Sequence, residues 1–287
     1  MKFKVGCELD YQVSANSTFI FNVNVAKTPN QNILEEYLCL EPDLNHEEYI
    51  APVLDNRYIR INVPSGNLHL SYQAFVDVIY EETNPTTINE VPIAQLPLEL
   101  LQYIYPSRYC QSDRLMRFAQ SEFGDLLPDY SRVTAICNWI YDNVTYLSGS
   151  SDQHTSAFDT VTERAGVCRD FAHLGIAFCR SLNIPARFAS GYAYKLQPPD
   201  FHAYFEAYLG DRWYLFDATR LAPRNGLIRI GTGRDAADIA FATIFGMAEM
   251  NQMKVEVECL ETHSDSDCPE YTYQAISHQV SENNSPV

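Results

Sequence analysis

The sequence predicts an α+β fold in which an all-β sandwich precedes a core of helices and returning strands. Three observations carry this reading. Residues 1–80 alternate apolar and polar side chains in short runs broken by turn residues, the pattern of strands with one buried face. Residues 81–90, Glu81-Glu82-Thr83-Asn84-Pro85-Thr86-Thr87-Ile88-Asn89-Glu90, are polar and β-breaking and read as a linker. Beyond them apolar residues recur at helical spacing before strands come back. The chain accordingly divides into a sandwich domain at 1–85, a core at 86–250, and a terminal strand with a polar tail at 251–287.

The elements follow in order. Residues 19–25, 58–63 and 68–80 are strands, and Ser65-Gly66-Asn67 supplies a hairpin turn between the last two. Ser112 is placed to cap a helix carrying Leu115, Phe118, Ala119 and Glu122, closed by Gly124. A second helix after Asp129 presents Val133, Ile136, Cys137, Ile140 and Val144 on one face. A third begins near Cys168, with Phe171, Leu174, Gly175, Phe178 and Leu182 at the spacing of a buried face. Asn183-Ile184-Pro185 ends it, because proline cannot continue a helix. Strands resume at 186–194, then at 201–209 and 212–219 as a hairpin around Gly210-Asp211. The pattern predicts a last helix over 235–250, a final strand at 254–258 and a mobile polar tail from Ser264 onward.

The totals bound the function. The 287 residues carry 46% hydrophobic and 20% charged side chains, which suits a globular chain with a sizeable core. The formal net charge of −17 argues against nucleic acid or an anionic membrane as partner, since both select basic surfaces. The N-terminus has two lysines without the apolar run of a secretory signal, and no segment reaches membrane-spanning length. The cytosol is the expected location. Eight cysteines lie scattered with no paired Cys-x-x-Cys spacing, so neither a structural metal nor a cofactor is expected. Cys259 and Cys268 are close enough to pair under oxidation, which the sequence leaves open, as it does the oligomeric state.

The chemistry concentrates at Gly166-Val167-Cys168-Arg169-Asp170-Phe171-Ala172-His173. A thiol at a helix N-terminus meets unsatisfied N–H groups and the positive end of the dipole, and both favour the nucleophilic thiolate. The bland alternative is a small apolar filler. Gly166 permits a tight turn ahead of it, Asp170 complements the dipole, and Arg169 either supports a thiolate or is simply exposed. His173 points away around the helix and reads as structural. A cysteine nucleophile needs a base, and the base an orienting group. If the hairpin loop is the two residues Gly210-Asp211, His202 faces Thr219 and Tyr204 faces Asp217. His202 and Asp217 then share a face as diagonal neighbours, within reach of an imidazole–carboxylate bond. Trp213 and the tyrosines at 192, 194, 204, 208 and 214 read mostly as packing, with some available to wall a groove.

These residues resemble the bacterial transglutaminase-like superfamily. The octapeptide is similar to its nucleophile segment, and Ile184-Pro185-Ala186-Arg187-Phe188-Ala189-Ser190-Gly191-Tyr192 to the strand that follows. Phe201-His202-Ala203-Tyr204-Phe205-Glu206-Ala207-Tyr208 resembles its histidine motif, and Trp213-Tyr214-Leu215-Phe216-Asp217-Ala218-Thr219-Arg220 its aspartate motif. The order, with 34 residues from Cys168 to His202 and 15 more to Asp217, fits. Gly233-Arg234-Asp235-Ala236-Ala237-Asp238 resembles a downstream element, and Ala218 stands where relatives often carry proline.

The resemblance implies a papain-like transglutaminase core, with a cysteine helix packed on an antiparallel sheet, preceded by the β-sandwich. It implies a Cys168–His202–Asp217 triad acting on a peptide or protein substrate through a thioester, with hydrolysis by a cysteine protease or amidase favoured over protein-glutamine transglutamination. It also implies an oxyanion hole made by the Cys168 N–H and an upstream side chain between Tyr146 and Ser156. Two rivals remain: a non-catalytic peptide-binding protein, and a metal site built from Cys168, His173 and His202.

Overall fold

The computed structural model describes residues 1–52, 54–260 and 268–279. The first part is all β: β1 (Lys2–Val13), β2 (Ser17–Phe21), β3 (Gln31–Glu41), β4 (His46–Ile50), β5 (Arg57–Val63), β6 (Gly66–Val78) and the short β7 (Glu81–Thr83). The middle holds α1 (Ser112–Phe123), α2 (Tyr130–Asn143), β8 (Thr145–Tyr146), α3 (Ala157–Glu163), β9 (Ala165–Gly166) and α4 (Cys168–Ser181). Then come β10 (Ala186–Ala193), β11 (Phe201–Leu209), β12 (Arg212–Phe216), β13 (Leu227–Gly233), β14 (Ala242–Phe245), β15 (Ala248–Cys259) and β16 (Ala275–Ser277).

The sandwich is two four-stranded sheets, ordered β15-β1-β6-β3 and β14-β2-β5-β4. Strict period-2 burial builds it. In β1, Phe3, Val5, Cys7, Leu9, Tyr11 and Val13 are buried, and in β6, Leu68, Leu70, Tyr72, Ala74, Val76 and Val78. The turn at Ser65-Gly66-Asn67 is not a hairpin within one sheet. It carries the chain from β5 in one sheet to β6 in the other, because both strands bury their apolar face in the same core.

The core sheet is ordered β12-β11-β10-β13. The α4 helix lies on it, and Gly175 sets the approach: a Cβ there would stand 2.5 Å from Cε1 of Phe205. Asp129 caps α2, its carboxylate accepting from the Ser131 N–H at 2.7 Å. The short α3, too brief to show a period, is held by the Asp159 carboxylate, which accepts from the Ser156 N–H at 3.0 Å and hydroxyl at 2.6 Å.

The expected helix over 235–250 is absent. That stretch is a turn followed by β14 and a bend at Gly246, whose φ of +149° suits glycine, before β15. β14 pairs with β2 and β15 with β1, so these residues complete the sandwich sheets. Spaced apolar residues here serve pairing on an outer edge, which imitates a helical period over so short a run.

The polar-tail reading also fails for 268–279, while 261–267 and 280–287 of that tail lie outside the described residues. Cys268 is disulfide-bonded to Cys259, with the Cα atoms 6.1 Å apart. β16 pairs with β7, inside the stretch read as a linker. His278 is buried against a charge cluster in which Arg187, at 2.6 Å, and Arg229 clamp the fully buried Glu206. Burial opposes charge on Glu206, but the two guanidinium groups prevail and hold its carboxyl down at about 2. Burial and the Arg229 charge push His278 to about 3, so it is neutral at pH 7.

Sandwich and core share one interior: Tyr192, Ile228 and Ile230 pack among the sandwich side chains. Two buried amides join them. Gln31 accepts from the Arg229 N–H and donates to its carbonyl, and Asn56 does the same for Thr232. They satisfy the outer edge of β13, which would otherwise present bare backbone groups.

Glycine-to-alanine changes inside helices ordinarily stabilise by about 1 kcal/mol. For Gly175→Ala the sign is expected to reverse, with a loss of about 1–3 kcal/mol in urea unfolding, because the methyl must displace Phe205.

Candidate active site

The site begins with the strand that feeds α4. β9 pairs in parallel with β8, and the Gly166 carbonyl accepts from the Leu147 N–H at 2.9 Å. What requires glycine at 166 is space: a Cβ would lie 2.7 Å from the Cβ of Asp170. The buried Asp170 carboxylate accepts from the Val167 N–H at 2.9 Å and caps the helix just ahead of Cys168. Arg169 is part of the scaffold. It pairs with Asp170 and donates to the Asp152 carbonyl, tying the 147–156 loop to the helix.

Cys168 is the first residue of α4 and is half-buried. His202 is the second residue of β11 and is 1% exposed. Asp217 follows β12 directly. The loop has the two residues Gly210 and Asp211, with φ of +52° and +73°, as a tight hairpin turn requires. The register runs Phe205 to Phe216 and Leu209 to Arg212. His202 and Asp217 are thereby diagonal neighbours, and His202 Nε2 lies 2.8 Å from Asp217 Oδ2. The other carboxylate oxygen accepts from the N–H and hydroxyl of Thr219, at 2.9 and 2.7 Å.

The electrostatics follow from burial and pairing. Burial disfavours a charged His202, but the Asp217 charge and hydrogen bond outweigh it, with a smaller contribution from Cys168, and raise the imidazole to about 10. Burial likewise opposes charge on Asp217, and His202 and Thr219 hold its carboxyl below the usual range. Since Nε2 serves the carboxylate, Nδ1 is the nitrogen left for other chemistry. It is buried without a hydrogen-bond partner among the described residues.

Tyr146, at the end of β8, lies in hydrogen-bonding reach of both the backbone N–H and the thiol of Cys168; burial first, then the thiol, raises its phenol. Within the 146–156 segment it is therefore the side chain beside Cys168. Its tyrosine identity carried no signal in sequence, since the parallel pairing of β8 with β9 is only two residues long. Sequence also missed the 268–279 segment, whose Tyr271 and Tyr273 line a cavity of about 760 Å³ with Tyr130, Phe216, Arg220 and Asp217. The tyrosines at 192, 204, 208 and 214, and Trp213, are packing.

His173 is fully buried between Tyr109 and Phe188, each ring centroid 5.0 Å away. Its Nε2 accepts from the Ala236 N–H at 3.1 Å, so that nitrogen is taken by the backbone. Among the described residues no group of three His, Cys, Asp and Glu could hold a metal ion. The same Ala236 turn presents Asp235 to the Tyr109 N–H, which gives the downstream Gly233-Arg234-Asp235 element a structural task.

Comparison with known proteins agrees with the fold. Residues 1–99 match the family model "Bacterial transglutaminase, N-terminal domain", and residues 117–218 match "Transglutaminase-like superfamily". The chain is similar to a crystal structure described as a "putative cysteine protease" from Cytophaga hutchinsonii, with 48% identity, a TM-score of 0.92, and coverage of 96% of this chain and 97% of that one. An uncharacterized protein of Mycobacterium leprae is 33% identical over 117 residues, 38% of this chain and 42% of the relative. An uncharacterized protein of Mycobacterium tuberculosis is 27% identical over 172 residues, 54% of this chain and 55% of the relative. The chain thus spans about half the length of these mycobacterial relatives or less.

Asp217→Asn removes the charge that overrides burial at His202. The imidazole is expected to fall from about 10 to below the ordinary 6.5, measured by NMR titration of the ring; a ring that still titrates near 10 contradicts the pairing.

Proposed function

The chain belongs to the transglutaminase-like superfamily, and on that premise we propose that it catalyses thiol-dependent acyl transfer on peptide or carboxamide substrates, with hydrolysis as the outcome. In this reading Cys168 is the nucleophile, His202 the proton carrier and Asp217 the group that orients and charges the ring. The observation that carries it is a half-exposed thiol at a helix N-terminus together with a buried His202–Asp217 pair at 2.8 Å whose Nδ1 has no other partner.

A protonated His202 is the counter-ion that a thiolate needs. The sulfur attacks the substrate carbonyl carbon, and the carbonyl π pair moves onto oxygen. This reading assigns the Cys168 N–H and the neighbouring Tyr146 hydroxyl as the donors to that oxyanion. As the C–N bond breaks, His202 gives its proton to the leaving amine, and a thioester remains. Water then attacks the thioester while Nδ1 takes its proton, and collapse expels the thiolate with a carboxylic acid as product. Asp217 keeps Nε2 protonated throughout. The partial exposure of Cys168 favours hydrolysis over amine transfer, because a transferase must keep water from its thioester.

Alkylation tests the nucleophile. Cys7, Cys110 and Cys137 are buried with thiols pushed up to about 12, and burial also raises Cys179 well above its ordinary value, so only Cys39 competes. In a Cys39→Ser background, iodoacetamide mapped by mass spectrometry is expected to mark Cys168 first, and His202→Ala to slow that labelling at least tenfold. An inert Cys168 would overturn the reading. For the outcome, ammonia release from glutamine peptides is expected to exceed incorporation of an added primary amine, and the reverse ratio makes the enzyme a transferase.

Tyr146→Phe deletes one donor to the oxyanion. It is expected to lower kcat by about 10²–10³ with KM little changed. Full activity in this variant would remove Tyr146 from the oxyanion hole.

A further inference from the structure

Asp217 is held by a turn that the reaction above does not use. Its carboxylate meets His202 through Oδ2. Rotation about the Cβ–Cγ bond of an aspartate is soft, so that one bond leaves the carboxylate plane unset. The other oxygen sets it, because Oδ1 accepts from both the N–H and the hydroxyl of the buried Thr219. The Thr219 hydroxyl oxygen is itself fixed, accepting from the Leu221 N–H at 3.2 Å. Arg220 sits between Thr219 and Leu221 with a φ of +56°, in the left-handed region. A side chain there is strained, and such a residue persists only where its surroundings over-determine it.

Contacts from two other parts of the chain supply that surrounding. The Arg220 guanidinium donates to Asn138 Oδ1 at 2.5 Å and lies 4.0 Å over the Tyr141 ring, both on α2. The Arg220 carbonyl accepts from the Tyr271 hydroxyl at 3.2 Å. Tyr271 belongs to the 268–279 segment, which is anchored on both sides of it. Cys268 is joined to Cys259, and Arg224 donates to the carbonyls of Thr272 and Gln274 at 2.8 and 2.9 Å. Tyr271, Arg220 and Asp217 line the same cavity. One helix and one late segment therefore converge on a single strained residue, three positions from the carboxylate.

We propose that Arg220 and Tyr271 are positioning residues for the triad: they clamp the left-handed turn that keeps the Thr219 hydroxyl on Asp217, and through that carboxylate they set the His202 ring. The chemistry needs Nδ1 held toward the thiol, and a misplacement of about 1 Å can cost about 10²-fold in rate. This inference rests on the role given to Asp217 in the reaction proposed above.

The test reads the ring and the thiol separately. The His202 Nε2 proton, shared with a buried carboxylate, is followed as a low-field proton resonance, and Cys168 by its iodoacetamide labelling rate in the Cys39→Ser background. Thr219→Val is expected to move that resonance upfield or broaden it away, and to slow labelling about tenfold; Thr219→Ser is expected to restore both. Tyr271→Phe and Arg220→Ala are expected to act in the same direction, slowing labelling roughly two- to threefold. Both residues are exposed, so their urea midpoints are expected to stay put. Because Tyr271 acts through Thr219, Tyr271→Phe is expected to add nothing further to Thr219→Val. An unmoved resonance in Thr219→Val, a Tyr271→Phe effect that adds in full to it, or a change in the urea midpoint alone would overturn the assignment. A Cys168 inert in the unaltered chain would overturn the nucleophile instead, and the resonance, which does not involve the thiol, would still decide whether the turn sets the ring.

Discussion

A charged imidazole and a carboxylate buried side by side constrain the rest of this molecule. Removing two such groups from water costs several kcal/mol each, and only close geometry with further hydrogen bonds offsets that cost. The structure meets this demand at several levels. The two-residue turn at Gly210-Asp211 sets the parity that brings His202 and Asp217 to one face. Thr219 saturates the second carboxylate oxygen. The sheet that holds the pair is then shielded by α4 on β11 and β10 and by the sandwich beyond β13. Lose the register of β11 against β12 and both groups are left buried alone.

A second buried charge system lies deeper on β11. Glu206, four residues beyond His202, is clamped by Arg187 from β10 and Arg229 from β13. β10 lies between β11 and β13, so the clamp ties the strand that carries the histidine to the strand that meets the sandwich. Both charged systems sit on one strand, and both depend on neighbours supplying the opposite charge at hydrogen-bonding distance.

Much of this was legible in the sequence for definite reasons. β1 and β6 bury alternate residues along their whole length, so period 2 was unmistakable. Asp129 and Pro185 bounded helices by local chemistry alone. The hairpin parity was readable because a Gly-Asp pair specifies loop length, and loop length specifies register. Other features had no local signal. β14 and β15 are edge strands whose partners lie more than 200 residues earlier, so their apolar spacing could pass for a helix. β16 has three residues, and its partner lies within a polar linker. Tyr146 reaches Cys168 only because two-residue β8 and β9 pair in parallel, a contact no periodicity announces.

The pairing of β15 with β1 has a consequence for how the chain is made. The ribosome delivers β1 and β6 early, and they can pair at once. The other edge of β1 must wait for residues 248–259, at the far side of the entire core. At typical synthesis rates that interval is roughly ten to forty seconds. Throughout it, a twelve-residue strand with one apolar face stands open along its hydrogen-bonding edge, the arrangement most prone to recruit a stray strand. The nascent sandwich is therefore incomplete until the core has been made, and a folding helper that covers that edge would act in this window.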